Sequence, residues 1–481
     1  MMYSKQQELF LTYNNHKHIF INAGPGTGKT TLIKEKIKRL LSQDKRIKIL
    51  YLTFSVKLAY EVKQELNLQT LKRITVGTIH SLLTKFIKSE VNSNFIIVEK
   101  KNIYFTNIEQ LTFSDIEKTT LKNLTHFKQW LQKRYRYIFI DEIQDINANL
   151  AKLINSLIEP NSKYSLYLLG DVNQTIYQKN LSDTGIITAI ENNKYIYKLQ
   201  LNHTFRLGQK TCNLVNLLFN IKLTPSKNKS ELLNFLTEQH SKIPRILSIL
   251  LSKWIKTTTQ LAEEYLTRTE RLLKFNITPE SKTVVVLARH NNTIDKLLNY
   301  FLKKNLPVHK IGTLLKTEQT FINSYQQFLY QALNNKTYII TDSMLPNLKS
   351  LLQTTRLPKI YIHKFLKTNN VYKSLELLYI AKKFLENSED TTAINLSTIH
   401  KAKGLEFETV ILSDFYNDIY KLTKKYDKNL LFVALTRHLK QLIIFSNMET
   451  INQLPNKQKI LKEVNVIKKL LHTLPLQQTL F

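Results

Sequence analysis

The stretch INAGPGTGKTTL, Ile21 to Leu32, sets three glycines within five positions of a 481-residue chain that has only nine. Glycine costs backbone entropy, and it is used where φ must be positive or where a ligand comes up against the backbone. The flanks restrict what this turn can do. Ile19-Phe20-Ile21 before it reads as a short buried strand. From Thr30 to Leu41 the apolar residues Leu32, Ile33, Ile37, Leu40 and Leu41 recur at helical spacing. Strand, glycine loop, Lys29-Thr30 and helix is the order in which backbone N–H groups wrap phosphates and a helix N-terminus adds its dipole. Lys29 would neutralise the outer phosphates and Thr30 would ligate Mg²⁺. The loop therefore runs from Ala23 through Gly24, Gly26, Thr27, Gly28 and Lys29 to Thr30 and Thr31, with Ala23 at the position where GxxxxGK[ST] begins with glycine.

Two further strand ends carry acids. YIFIDEIQDIN, Tyr137 to Asn147, is an apolar run that closes on Asp141 and Glu142. At the C-terminal end of a strand beside the loop, Asp141 can hold the same Mg²⁺ as Thr30, and Glu142 can take a proton from an attacking water. SLYLLGDVNQTIYQ, Ser165 to Gln178, repeats the form with Gly170-Asp171 and then Gln174, placed to sense the γ-phosphate.

The charge balance narrows the partners. Lys and Arg number 70 against 37 Asp and Glu, a formal +33. An AT-rich coding sequence inflates Lys, Asn and Ile, yet such a surplus makes a field that attracts polyanions, nucleic acid or an anionic membrane surface. No apolar run approaches the roughly 20 residues of a spanning helix and no signal-peptide core is present, so a soluble, cytoplasmic protein is expected. Cys212 is the sole cysteine, which excludes disulfides within the chain and cysteine-based zinc sites. The length calls for several domains.

Taken in order, these segments resemble the UvrD/Rep/PcrA helicases of superfamily 1A. LSTIHKAKGLEFETVIL (Leu396 to Leu412) looks like that family's motif V, and LLFVALTRHLKQL (Leu430 to Leu442) like its motif VI. Ala23 at the start of the phosphate loop is a frequent variant there. The resemblance implies an α/β protein with two RecA-like parallel-sheet motor domains, ATP and Mg²⁺ as cofactors, and movement 3′ to 5′ on single-stranded DNA or a tailed duplex. It implies that Gln7, or its neighbour Gln6, bonds the adenine edge and that Phe205 of HTFRLG stacks on adenine. Arg206 would touch the γ-phosphate, Arg437 of VALTRH would be the arginine finger, and Glu406 of KGLEF would approach the nucleotide. Two fixed guanidinium groups suit the negative charge spread over a transferring phosphoryl group.

The DNA-facing motifs follow from the same resemblance. YLTFSVKLAYEV resembles motif Ia, with Phe54 as base contact and Lys57 as phosphate contact; VGTIHSLL resembles motif Ib, with Thr78 and His80 on the single strand. His400 would be a third contact. Aromatic faces and cations together make a sequence-tolerant groove. After motif III the family continues with an aromatic and an RGA stretch; here Tyr177 is followed by Gln178-Lys179-Asn180, so the base-stacking platform is incomplete.

The motifs place the first motor domain at residues 1–83 and 130–199 and a helical insert at 84–129. The second motor domain falls at 200–316 and 391–451, with a helical insert at 317–390 and a basic C-terminal helix and tail at 452–481. FINSYQQFLYQAL and VYKSLELLYIAKKFLE are the clearest helices of the second insert. Both inserts are reduced relative to larger members. The chain ends PLQQTLF, in which Gln477, Leu480 and Phe481 fit the Q-x-x-L-F peptide by which bacterial repair proteins bind the sliding clamp. The alternative to a helicase is a DNA-stimulated ATPase that senses or processes DNA ends with a nuclease partner. A basic binding protein with a dead nucleotide site is disfavoured by intact Lys29, Thr30, Asp141, Glu142, Arg206 and Arg437, and an ABC-type ATPase by the lack of an LSGGQ-like signature.

Overall fold

The computed structural model describes residues 3–13, 18–54, 58–59, 62–63, 72–90, 112–176, 185–226, 231–237, 283–303, 308–314, 316–334, 370–386, 393–413, 425–446 and 465–468. The chain divides into two compact units, Met1–Lys229 with Thr423–Thr436, and Ser230–Leu422 with Arg437–Phe481.

The first unit is built on α1 (Lys5–Thr12), β1 (His18–Ala23), α2 (Lys29–Gln43), β2 (Ile49–Thr53), β3 (Ile74–Thr78), α3 (Ile79–Glu90), α4 (Phe113–Lys122), α5 (Leu124–Arg134), β4 (Tyr137–Ile140), α6 (Ala148–Ser156), β5 (Ser165–Gly170), α7 (Gly185–Asn192) and β6 (Ile196–Leu201). Its six strands run in the order β3-β2-β4-β5-β1-β6, and every pairing is parallel. Continuous apolar runs such as Ile49 to Leu52 are what a parallel sheet covered on both faces requires. Alternate residues of each strand feed opposite layers. Phe20, Leu50, Leu52, Ile138, Ile140, Leu166 and Leu168 face a layer with Phe86, Phe127 and Trp130. Ile19, Ile21, Ile49, Tyr51, Phe139, Tyr167 and Leu169 face one with Phe10, Leu32, Ile33 and Ile37. Beyond β6 come a two-strand parallel ribbon, β7 (His203–Thr204) with β8 (Thr224–Pro225), and between them α8 (Gln209–Phe219).

The second unit holds β9 (Leu232–Thr237), β10 (Val284–Ala288), α9 (Asn291–Lys303), β11 (Val308–Lys310), α10 (Lys316–Asn334), α11 (Val371–Glu386), β12 (Ile394–Thr398), α12 (Ile399–Ala402), β13 (Phe407–Leu412), β14 (His438–Ser446) and β15 (Asn465–Lys468). Seven parallel strands run β11-β12-β10-β13-β14-β9-β15. The α/β class with two parallel sheets, expected from the motif order, is what the chain adopts. Helices α10 and α11 contain the two helical segments read in the sequence and pack on each other. Helix α13 (Lys425–Leu435) precedes β14 in the chain and belongs to the first unit. Among the described residues no helix is long and apolar enough to cross a membrane.

Candidate active site

In a parallel α/β sheet, ligands bind outside the carboxyl ends of the strands. β1, β5 and β4 are neighbours, so the segments that follow them converge: the glycine loop after β1, Asp141-Glu142 after β4 and Asp171 after β5. The turn from β1 into α2 depends on its glycines. Gly26 and Gly28 have φ of 67° and 77°, in the left-handed region that side chains disfavour. A Cβ on Gly26 would collide with the Arg206 side chain and lie 2.8 Å from Thr204 Oγ1. Thr27, almost fully buried, donates its hydroxyl to Gly24 O at 2.8 Å and closes the loop. Ala23 is the buried last residue of β1, Thr30 is half-buried in the first turn of α2, and Thr31 is exposed.

Two side chains flank Gly28. Gln7 is buried and donates its Nε2 to Thr27 O at 3.1 Å, whereas Gln6 is exposed. Gln7 also completes a capping box with Ser4, accepting from Ser4 N at 2.8 Å, so the start of α1 is fixed against the loop. Phe205, 45% exposed, anchors through its N–H to Gly26 O at 2.8 Å. Its ring and Gln7 Nε2 lie 4.0 and 3.7 Å from the point a Cβ on Gly28 would occupy. An exposed aromatic ring and an amide thus both come within 4.0 Å of one position on the loop. Behind α1, buried Lys36 of α2 donates to Leu11 O at 3.0 Å and to Tyr13 O at 2.5 Å, tying the C-terminal end of α1 to the phosphate-loop helix. Burial, helped by the charge on Arg39, lowers Lys36 to about 8.

The charged centre is a chain of contacts. Lys29 Nζ lies 3.2 Å from Glu142 Oε1. Burial opposes its charge, but the carboxylates of Glu142, Asp141 and Asp171 outweigh burial and hold the ammonium above its ordinary range. Asp141 is fully buried, accepting from Tyr51 OH at 3.0 Å and from Glu142 N at 2.9 Å. Burial, with the adjacent Glu142 charge, pushes its carboxyl up to about 6. Glu142 has φ 58°, a left-handed backbone rare for a side-chain-bearing residue, which begins the 3₁₀ turn Ile143–Asp145.

Gln144, not singled out in the sequence, links the two acidic strand ends. Its Nε2 donates to Glu142 Oε2, and its Oε1 accepts from Asp171 N at 3.2 Å. Gly170 makes room for it, since a Cβ there would lie 2.5 Å from Gln144 Oε1. Asp171, raised by burial, accepts from Gln174 Nε2 at 2.7 Å and from Asn173 N at 3.0 Å. The signal in the sequence was a glutamine two residues past Glu142, on a turn where a solvated side chain would serve as well.

Arg206 donates from Nη1 to Thr436 O at 3.0 Å, and Asn429 of α13 donates to Thr175 O at 3.1 Å, both within the first unit. Arg437 and Glu406 are in the second unit, Arg437 buried and Glu406 exposed between buried Leu405 and Phe407. His400 is half-buried in α12.

Among the expected DNA contacts, Phe54 is half-buried against the first unit's core just past β2. Thr78 ends β3, and its Oγ1 accepts from Ser81 N at 3.3 Å. His80 opens α3 with its Nε2 2.8 Å from Glu117 Oε1. Lys57, Tyr177, Gln477, Leu480 and Phe481 lie outside the described residues.

The residues around the glycine loop suit a metal-bound nucleotide. The glycines leave a cradle that side chains would fill, a lysine stands among three carboxylates, and burial with the adjacent Glu142 charge raises the Asp141 carboxyl. Hard oxygen donors from a hydroxyl and a carboxylate suit Mg²⁺.

A family model described as an AAA domain matches residues 6–180, and one described as a UvrD-like helicase C-terminal domain matches 314–449. The chain is 24% identical to the Gabija protein GajB of Bacillus cereus, over 94% of this chain and 98% of that protein. It is 22% identical to a probable DNA helicase II homolog of Mycoplasma pneumoniae, over 96% of this chain and 86% of that one. Identity to the ATP-dependent DNA helicase Rep of Buchnera aphidicola is also 22%, over 88% of this chain and 91% of the relative. With both models matched, and with relatives that extend over most of its length, the chain belongs to the UvrD/Rep-like family of superfamily 1A helicases.

Proposed function

We propose that the chain is an ATP-dependent DNA motor that moves 3′ to 5′ on single-stranded DNA and separates a tailed duplex, in repair, replication or recombination. The observation that carries the reading is the Lys29–Glu142–Gln144–Asp171–Gln174 chain of contacts beside a glycine loop flanked by Gln7 and Phe205. Lys29 leaves Glu142 for the outer phosphates when nucleotide enters. Glu142, released, accepts the proton of the attacking water while Gln144 holds its second oxygen. Thr30 and Asp141 would hold Mg²⁺, which would supply positive charge against the charge that develops on the phosphates. Gln174, bonded to Asp171, is positioned to report loss of the γ-phosphate. Arg206 meets that phosphate, and the roles the resemblance gives Arg437 and Glu406 belong to the same proposal.

The test is steady-state ATP hydrolysis with and without single-stranded DNA, beside unwinding of 3′- and 5′-tailed duplexes. Stimulated hydrolysis with unwinding from the 3′ tail supports the motor; absence of hydrolysis removes it. Lys29→Ala is expected to abolish turnover while binding of single-stranded DNA persists, measured by anisotropy; retained turnover would remove Lys29 from the phosphate role.

A second reading is a DNA-stimulated ATPase that serves a nuclease partner with little unwinding of its own. It is supported by the end-to-end similarity to GajB and by 30% identity, over 34% of this chain, to one chain of an ATP-dependent helicase/nuclease of Lactobacillus johnsonii. Stimulated hydrolysis without unwinding would favour it. The tail proposal is separate: deleting Gln477 to Phe481 is expected to remove binding to a sliding clamp and spare hydrolysis, and unchanged clamp binding would end it.

A further inference from the structure

The two side chains beside Gly28 belong to separate elements. Gln7 is in the first turn of α1, and Phe205 follows β6 by way of β7. Away from the loop, these two elements meet in a junction of three residues. Lys36 of α2, 1% exposed, carries its ammonium to the last turn of α1, 3.0 Å from Leu11 O and 2.5 Å from Tyr13 O. Tyr13, the residue that ends α1, lays its ring on Tyr197 of β6, with centroids 5.0 Å apart and planes 13° from parallel.

The last carbonyls of a helix have no partner within it and form the negative end of its dipole. The last turn of α1 holds no basic residue of its own, so the cation that answers it comes from α2. Burying an ammonium is costly, and an apolar residue on this stripe of α2 would be buried without that cost. It would also leave the end of α1 untied. With Lys36 in place, the helix that begins at Lys29 holds α1 directly and reaches β6 through Tyr13. Tyr197 in turn lies beside Ile19 in the β1–β6 register, on the strand that leads into the glycine loop.

We propose that Lys36, with Tyr13 and Tyr197, is a positioning device for base selection, fixing α1 and β6 so that Gln7 and Phe205 meet adenine while α2 serves the phosphates. The inference rests on the adenine role given to Gln7 and Phe205 above. Gln7 commits Oε1 to Ser4 N and one Nε2 hydrogen to Thr27 O, which leaves one lone pair and one hydrogen. Adenine matches that pair with a donor at N6 and an acceptor at N7, whereas guanine presents acceptors at O6 and N7. A shift of α1 therefore weakens ATP and leaves GTP as it was.

The test measures kcat and KM of the full chain for ATP and for GTP with single-stranded DNA at saturation. The wild type is expected to prefer ATP through KM. Lys36→Met keeps a long apolar stem without the ammonium and is expected to raise KM for ATP about tenfold, with kcat and the GTP values nearly unchanged. Lys36→Arg is expected to retain the preference. Tyr197→Ala alters a ring that is 42% exposed on an edge strand, so the fold is expected to survive, and KM for ATP should rise in the same direction. Added to Gln7→Ala, Lys36→Met should cost nothing more. A fall in kcat for both nucleotides, or an equal rise in both KM values, overturns the device, because Lys36 would then serve the fold or the phosphates. If Lys36→Met does not fold, an unchanged KM for ATP in Tyr197→Ala overturns it. Preference lost in Gln7→Ala but kept in Lys36→Met overturns the device while the adenine role stands; preference kept in Gln7→Ala overturns both. A wild type that hydrolyses ATP and GTP alike removes base selection and leaves the motor.

Discussion

A Glu142→Gln protein is expected to turn over ATP about 10²–10⁴-fold more slowly than the wild type, the usual worth of a positioned general base. It should bind ATP at least as tightly. The reason for the second half is the 3.2 Å contact between Lys29 and Glu142, which must break before the ammonium can serve the phosphates. A neutral amide holds Lys29 less firmly, so less is lost when nucleotide arrives. The substitution is also sterically conservative: Gln144 Nε2 can still donate to the remaining carbonyl oxygen. Single-turnover hydrolysis and nucleotide titration separate the two effects. A fall in kcat with unchanged or lower Kd supports the assignment. Unchanged turnover removes Glu142 from proton transfer. A fall in kcat with a much raised Kd would mean that Glu142 acts through Lys29 alone.

The parts of this site that could be read from the sequence are those whose neighbours are near in the chain. The phosphate loop was legible because an apolar strand and a helical stripe bracket it, and α2 spans Lys29–Gln43 where Thr30 to Leu41 showed the period. Asp141 and Asp171 stood out as acids at the ends of apolar runs. Contacts that close over long separations were not legible. His80 and Glu117 are 37 residues apart, and nothing local says that the glutamate is buried. In the sequence Gln144 is one polar residue on a turn, and only the fold brings Asp171 N to its carbonyl. Lys36 sits at helical spacing with Ile33, Ile37 and Leu40, on the stripe that must be buried, and its ammonium therefore has to find carbonyls. Gln6 and Gln7 could not be separated by spacing, and the burial of Gln7 against Thr27 O separates them.

Asp141→Asn is expected to raise the melting temperature of the nucleotide-free protein at pH 8 while lowering ATP turnover about 10²-fold or more, as the loss of several kcal/mol of metal-borne charge stabilisation implies. The sign of the stability change follows from the carboxyl's position. Its pKa stands at about 6 in the folded chain against an ordinary 3.8, because burial and the adjacent Glu142 charge outweigh Lys29 and the bonds from Tyr51 and Glu142 N. A carboxylate whose folded value is raised costs stability in full above the folded value. The cost fades as pH falls through 6 and is gone below 3.8. Asn carries no charge to bury, and it can satisfy both neighbours by accepting from Glu142 N and donating to the Tyr51 hydroxyl, which can turn to receive it. The gain is expected to be about 2–4 °C, the shift that about 1 kcal/mol produces in a unit of 150–250 residues. It should shrink between pH 6 and pH 4. Mg²⁺ with a non-hydrolysable nucleotide should reverse the order, stabilising the wild type more than the variant, because the charge that destabilises the empty site is the one the cation requires. A variant no more stable than the wild type at pH 8 would show that the buried carboxylate carries no penalty, and retained turnover would remove Asp141 from the metal site.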